Sequence, residues 1–141
     1  KLDISIHEEG QLYSLVMVKF ILQPLIENAV KYSFQHQTTA QVDIRIRRQG
    51  NRLHLHVADN GPGMPSEIIR MLQDPAAASQ LEPILRSESW HIGLGNVIAR
   101  CRLHYGDLFA VDIRNGNEAG TCIELILPVQ EEYHVQRIDR R

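Results

Sequence analysis

Asn28 and Lys31 stand three residues apart in a stretch whose apolar residues recur at helical spacing, so the two share one side of a turn. The Asn28 carboxamide offers a neutral oxygen, a suitable hard ligand for Mg2+ where phosphates supply the charge. Lys31 offers a mobile cation for those phosphates. The same residues also fit a solvated helix face, with Glu27 and Lys31 spaced for an i,i+4 ion pair. Further on, Asp59-Asn60-Gly61-Pro62-Gly63 closes a run of alternating residues. An aspartate there can accept a hydrogen bond from an exocyclic amine such as that of adenine. Glycines permit positive φ and close backbone approach to a flat ring. An ordinary turn has the same composition. Gly93-Leu94-Gly95-Asn96 stands just before a helical pattern, where free amide protons favour phosphate. A loop-to-helix junction capped by Asn96 explains those residues equally well. Gly120-Thr121 opens the last strand pattern and alone implies only a turn and a strand start.

The elements that must hold these residues follow from periodicity. Leu2, Ile4 and Ile6 alternate with Asp3, Ser5 and His7, the pattern of a half-buried strand. Over about residues 18–34 the spacing is helical, with Leu22, Leu25, Ile26 and Ala29 as the apolar stripe. Gln23, Glu27, Asn28 and Lys31 fall on or near the opposite side. Pro24 lacks an amide proton and clashes one turn back, so it marks a kink or a helix that begins near Gln23. Val42, Ile44 and Ile46, then Leu53, Leu55 and Val57, make two alternating strands joined at Gln49-Gly50-Asn51-Arg52, a hairpin signal. A short helix is expected over 65–73, a loop over 74–90, and a helix over 94–104 with Val97, Ile98 and Cys101 buried. Phe109, Val111 and Ile113 form a strand, 115–120 a turn, and Thr121, Ile123, Leu125 and Leu127 a last strand stopped by Pro128. Residues 129–141 read as a polar surface tail. Two successive strand pairs have no helix between them, which excludes a doubly wound parallel sheet. The pattern predicts an α+β two-layer sandwich, its mixed, mostly antiparallel sheet carrying helices on one face.

The chain has 141 residues, enough for one domain with a continuous core. Its net charge of −2, with acids and bases interspersed, excludes a basic nucleic-acid footprint. Cys101 and Cys122 lie in no ligand-spaced motif and read as buried thiols of a reducing compartment. No apolar run approaches the ~18 residues needed to span a bilayer. The chain starts directly in a strand pattern without methionine, as an excised fragment would.

The order and spacing of these modest signals carry more than any one of them. Leu22-Gln23-Pro24-Leu25-Ile26-Glu27-Asn28-Ala29-Val30-Lys31-Tyr32 resembles the asparagine box of the GHKL ATP-binding domains, and within them that of the LytS/YesM-type sensor histidine kinases. Asp59-Asn60-Gly61-Pro62-Gly63-Met64 is similar to the first glycine box of that group. Ile92-Gly93-Leu94-Gly95-Asn96-Val97, with Arg100 and Tyr105-Gly106, resembles the second, and Gly120-Thr121 followed by a strand and Pro128 resembles the closing box. The likeness runs from Leu2 to Pro128.

That resemblance implies a Bergerat fold over 1–128 that binds ATP and Mg2+. It implies Asn28 as the Mg2+ ligand, Lys31 at the phosphates, and Asp59 at the adenine amino group with Thr121 nearby. Gly61, Gly63 and Met64 would shape the adenine pocket, Gly93 and Leu94 would border the phosphates, and residues 74–92 would form the ATP lid. Tyr32 would stack on the nucleotide or simply pack near it, and Glu27 would be a helper base or a helix ion-pair partner. The implied activity is transfer of the γ-phosphoryl group to a histidine on a separate dimerisation segment, with a response regulator downstream. The implied setting is the cytoplasmic side of a membrane-anchored, homodimeric receptor, with this portion alone monomeric. None of the seven histidines has the context of the acceptor motif. Two departures stand out. His91 replaces a glycine of the second box. Pro24 occupies the position where gyrase-like ATPases carry a general-base glutamate. The alternatives are an ATPase switch, against which Pro24 argues, and a catalytically silent nucleotide-sensing or interaction module, which His91 leaves open.

Overall fold

A computed structural model describes residues 1–9, 18–36, 38–77 and 92–129. The described elements run β1 (Leu2–Glu9), α1 (Val18–His36), β2 (Ala40–Gln49), β3 (Arg52–Asp59), α2 (Ser66–Gln73), α3 (Ile92–Tyr105), β4 (Ala110–Asn115) and β5 (Thr121–Pro128). Single 3-10 turns at Pro75–Ala77 and Gly106–Leu108 follow α2 and α3.

The five strands form one sheet in the order β1-β2-β3-β5-β4. β1 lies parallel to β2, and α1 makes the crossover that a parallel pair requires. The other pairings are antiparallel. Gly50, at φ +61°, turns the β2–β3 hairpin. Alternation fixes the register. Val42, Ile44, Ile46, Leu53, Leu55, Val57, Ile113, Ile123, Leu125 and Leu127 are all buried on one face, against the helices. α1 packs across β2 and β3 and against α3, while α2 packs along β4. Asp43, Arg45, His54, His56, Glu124, Asp112 and Arg114 line the other face. This is the two-layer α+β sandwich that the pattern predicts, with one parallel pair in an otherwise antiparallel sheet.

Two local readings are corrected and a third is settled. α1 covers the range that its helical spacing predicts and runs through Pro24, so that proline does not mark a start near Gln23; there the helix forgoes the hydrogen bond to the carbonyl of residue 20. Its buried stripe is Ile21, Leu25, Asn28, Ala29, Tyr32 and Ser33, at steps of three and four, with Leu22 and Ile26 half-buried beside it. Asn28 therefore faces inward rather than lying on the solvated side. Cys101 is buried, and burial pushes its thiol up to about 11. Cys122 lies on the open sheet face and is only partly buried. Among the described residues no helix is long and apolar enough to cross a membrane. The proposed lid falls mostly outside the described residues, as do His91 and residues 130–141.

Candidate functional site

The end of β3 delivers Asp59 to the helix side of the sheet, opposite buried Val42. Its Oδ1 accepts two backbone amides, Gly61 at 2.8 Å and Thr121 at 3.3 Å. The first closes a tight turn within the loop, and the second ties that turn to the start of β5. Oδ2 has no hydrogen-bond partner among the described residues. Burial raises the carboxyl above its ordinary range, and the two amides partly offset that.

Glycines let the segments meet. A Cβ on Gly61 would stand 2.8 Å from the Tyr32 carbonyl, so the loop lies directly on the α1 backbone. Gly120 is at φ +85°, and a Cβ there would collide with the Asp59 carbonyl. Gly63 is also left-handed, and there a Cβ would meet Asn115 Oδ1 at 2.9 Å.

From α1, Asn28 sits one turn before Tyr32. Asn28 is only 7% exposed, yet its carboxamide makes no hydrogen bond among the described residues. Such a buried orphan costs free energy unless something supplies the missing partner. The Thr121 hydroxyl is in the same position: the residue is buried and its side chain has no described partner. Lys31 is exposed and makes no ion pair among the described residues, so the possible pair with Glu27 does not form. Glu27 instead accepts a hydrogen bond from Gln23 Nε2 at 3.2 Å on the exposed side of α1. Tyr32 and Met64 are both buried.

The structure thus brings Asp59, Gly61, Thr121 and Tyr32 into direct contact, with Asn28 on the adjoining turn. No hydrogen bond joins Gly93 or Leu94 to this group among the described residues. Gly93-Leu94-Gly95-Asn96 is the first turn of α3 and not a junction before it, so Asn96 is no cap. Leu94 is fully buried in the core, while Gly93 is exposed with open space around its α-carbon. What they offer together is the unpaired amides of a helix start. A cavity of about 350 Å3 between α1 and α3, lined by Ile21, Val97, Cys101 and Tyr105 among others, contains none of the site groups. A second cavity, of about 300 Å3, is lined by Asp59 and Asn60 together with Gln41 and Val42 of β2.

Two asparagines were not anticipated as site residues. Asn60 donates through Nδ2 to the Thr39 carbonyl (2.9 Å) and accepts the Gln41 amide on Oδ1 (3.0 Å), pinning one end of the loop to the start of β2. Asn115 pins the other end, accepting the Met64 amide at 2.7 Å and donating to the Met64 carbonyl at 2.9 Å. In sequence both read only as turn formers.

A family model described as "Histidine kinase-, DNA gyrase B-, and HSP90-like ATPase" matches residues 15–131. The chain belongs to that family. Among its relatives in this ATPase family, the sensor protein KdpD of Escherichia coli (strain K12) is 33% identical over 136 residues, covering 92% of this chain and 14% of KdpD. The sensor protein LytS of Bacillus subtilis (strain 168) is 25% identical over 144 residues, covering 99% of this chain and 23% of LytS. The chain thus spans less than a quarter of either relative. The fold also matches that of the histidine kinase ThkA, solved in complex with the response regulator protein TrrA. The TM-score is 0.63 at 14% identity, over 92% of this chain and 34% of that one. The chain therefore carries a sensor-kinase-type ATPase domain.

Proposed function

We propose that the domain binds Mg-ATP and donates the γ-phosphoryl group to a histidine on a separate dimerisation segment, within a two-component signalling kinase. The observation that carries this reading is the convergence on Asp59. Two amides occupy Oδ1, Oδ2 stays available, and a buried, unpartnered Asn28 lies one turn along α1 from the Tyr32 carbonyl under Gly61. Membership of the ATPase family supports nucleotide as the ligand.

In this reading Asp59 Oδ2 accepts a hydrogen bond from the adenine amino group, with the Thr121 hydroxyl beside it. Gly61 and Gly63 shape the pocket by letting the loop lie close against α1 and Asn115, Met64 backs the ring with apolar surface, and buried Tyr32 packs against the loop. The Asn28 oxygen suits Mg2+, a hard cation that takes a neutral carbonyl when phosphates bring the charge. Bound Mg2+ would neutralise the phosphates and so lower the barrier to transfer. Lys31 adds a cation on the same side, and the Gly93 and Leu94 amides border the phosphates at the start of α3. The acceptor imidazole nitrogen forms a bond to the γ-phosphorus as the bond to the ADP oxygen breaks, and ADP leaves. The domain's share is positioning and charge neutralisation. Glu27, turned outward and bonded to Gln23, acts as a helix-surface partner in this reading rather than as a base.

The partners follow from the same reading. They are the histidine-bearing segment of the same homodimeric kinase and a response regulator downstream, with the receptor anchored in the membrane and this domain in the cytoplasm. The portion studied is expected to be monomeric by light scattering. The deciding experiment incubates the domain with γ-labelled ATP, Mg2+ and its histidine-bearing segment. Acid-labile label on that histidine supports the reading. Tight ATP binding with no label transferred would favour the silent sensing module, and steady phosphate release without transfer would favour the ATPase switch.

A further inference from the structure

We propose that Asn115, at the far end of edge strand β4, is a positioning residue for the nucleotide site, a claim that rests on the ATP-binding reading above. Residues 59–64 leave β3, cross the site and enter α2. A loop of this kind keeps its shape only if something outside it holds its ends. Asn60 holds the first end. At the second end a single carboxamide takes both backbone groups of Met64, the amide on Oδ1 at 2.7 Å and the carbonyl from Nδ2 at 2.9 Å. This two-point contact copies the pairing of a strand and fixes the orientation of the Met64 peptide units. The neighbouring Gly63 is left-handed, and its missing Cβ is the space that the Asn115 carboxamide fills.

A second tie runs across the sheet. Asn115 is the register partner of Thr121 in the β4–β5 pair. Thr121 is the residue whose amide holds Asp59 Oδ1. Asp59, the loop, Met64, Asn115 and Thr121 therefore close a ring, and Asn115 sets the distance between the apolar wall at Met64 and the carboxylate at Asp59. Asn115 is itself exposed, so its carboxamide answers to the loop rather than to a core position. The same strand supplies a built-in control. Two residues earlier the Ile113 amide donates to Gln73 Oε1 at 2.8 Å, tying α2 to the same edge without touching the loop.

The test is calorimetric titration of Mg-ATP, Mg-ADP and adenosine into the wild-type domain, Asn115→Ala, Asn115→Asp and Gln73→Ala, with folding checked by circular dichroism. Asn115→Ala should weaken all three ligands by a similar factor, about tenfold, because the loop faces the base and not the phosphates. Asn115→Asp keeps the acceptor for the Met64 amide but turns an oxygen toward the Met64 carbonyl, and should lose as much. Gln73→Ala should stay within twofold of wild type. In the transfer assay Asn115→Ala should raise KM for ATP and leave kcat within twofold at saturation. If the alanine variant does not fold, Asn115→Ser, with one hydroxyl left to bond Met64, should show a smaller loss of the same pattern. Wild-type affinity in folded Asn115 variants, or an equal loss in Gln73→Ala, overturns the inference and leaves the ATP reading standing. Absence of wild-type binding overturns both.

Discussion

A Cβ on Gly120 would collide with the backbone carbonyl of Asp59, and the glycine lies in the left-handed region at φ +85°. Neither space nor conformation remains for a side chain. Gly120→Ala should therefore lose on the order of 3 kcal/mol of stability, since the strained backbone and the blocked contact act together. Urea denaturation would measure it, and a loss under about 1 kcal/mol would mean that the β3 end can move away at little cost.

Asp59 ties stability to pH. Burial raises its folded-state pKa above the ordinary 3.8, so between those two values the folded chain binds more protons than the unfolded one. Stability conferred by this group thus falls as pH rises through that window and stays reduced above it. Asp59→Asn keeps an oxygen for the Gly61 and Thr121 amides and removes the buried charge. The variant should be more stable than wild type at neutral pH, and the difference should shrink below pH 3.8. Melting temperatures across that range would show it. A variant less stable than wild type at neutral pH would contradict the burial argument.

Asn28 is a buried amide without a described partner, so the ligand-free domain gains nothing from it. Asn28→Ala should leave the melting temperature of the ligand-free domain unchanged or higher. It should also abolish the increase in ATP affinity that Mg2+ produces in wild type, a loss of at least about tenfold. Paired titrations with and without Mg2+ separate the two effects. An intact Mg2+ response would remove Asn28 from the metal site.

On the open sheet face, His56 responds oppositely to Asp59. Burial first, and then the Arg45 guanidinium, lowers its folded-state pKa below 6.5. Asp43 and Glu124 oppose that shift and Arg114 adds to it, and the Cys122 sulfur lies 3.6 Å from Nδ1. Between the folded value and 6.5 the unfolded chain binds more protons, so this contribution is complete above 6.5 and is lost as pH falls through the window. His56→Gln should flatten the stability profile on the acid side of 6.5 and leave ATP affinity untouched. A profile as steep as wild type would assign that acid sensitivity to other groups.

Much of this was legible in the sequence because burial and alternation carry the same information. Val42, Ile44 and Ile46 and their partners on β3 and β5 point inward as their period of two requires. Asp59 and the glycines around it form one cluster, as the order of the boxes suggests. Asn28 was assigned to the wrong side because a polar residue in an amphipathic pattern reads as solvated. Its true place on the buried stripe shows only when Ile21, Leu25, Tyr32 and Ser33 are taken as the face. Pro24 left a kink and a helix start both open because its local cost is plain, whereas the packing of α1 on β2 and β3 that carries the helix through it is not local. Asn115 was invisible for the same reason. Its partner Met64 is 51 residues away, and nothing near either residue announces the other.

The most direct test of the central claim is a calorimetric titration of Mg-ATP into the wild-type domain and into Asp59→Asn. The wild type should bind, and the variant should bind at least about tenfold more weakly, because its carboxamide can turn a donor toward the adenine amine. Wild-type binding that Asp59→Asn leaves unchanged, or no binding by a folded wild-type domain, would contradict that claim.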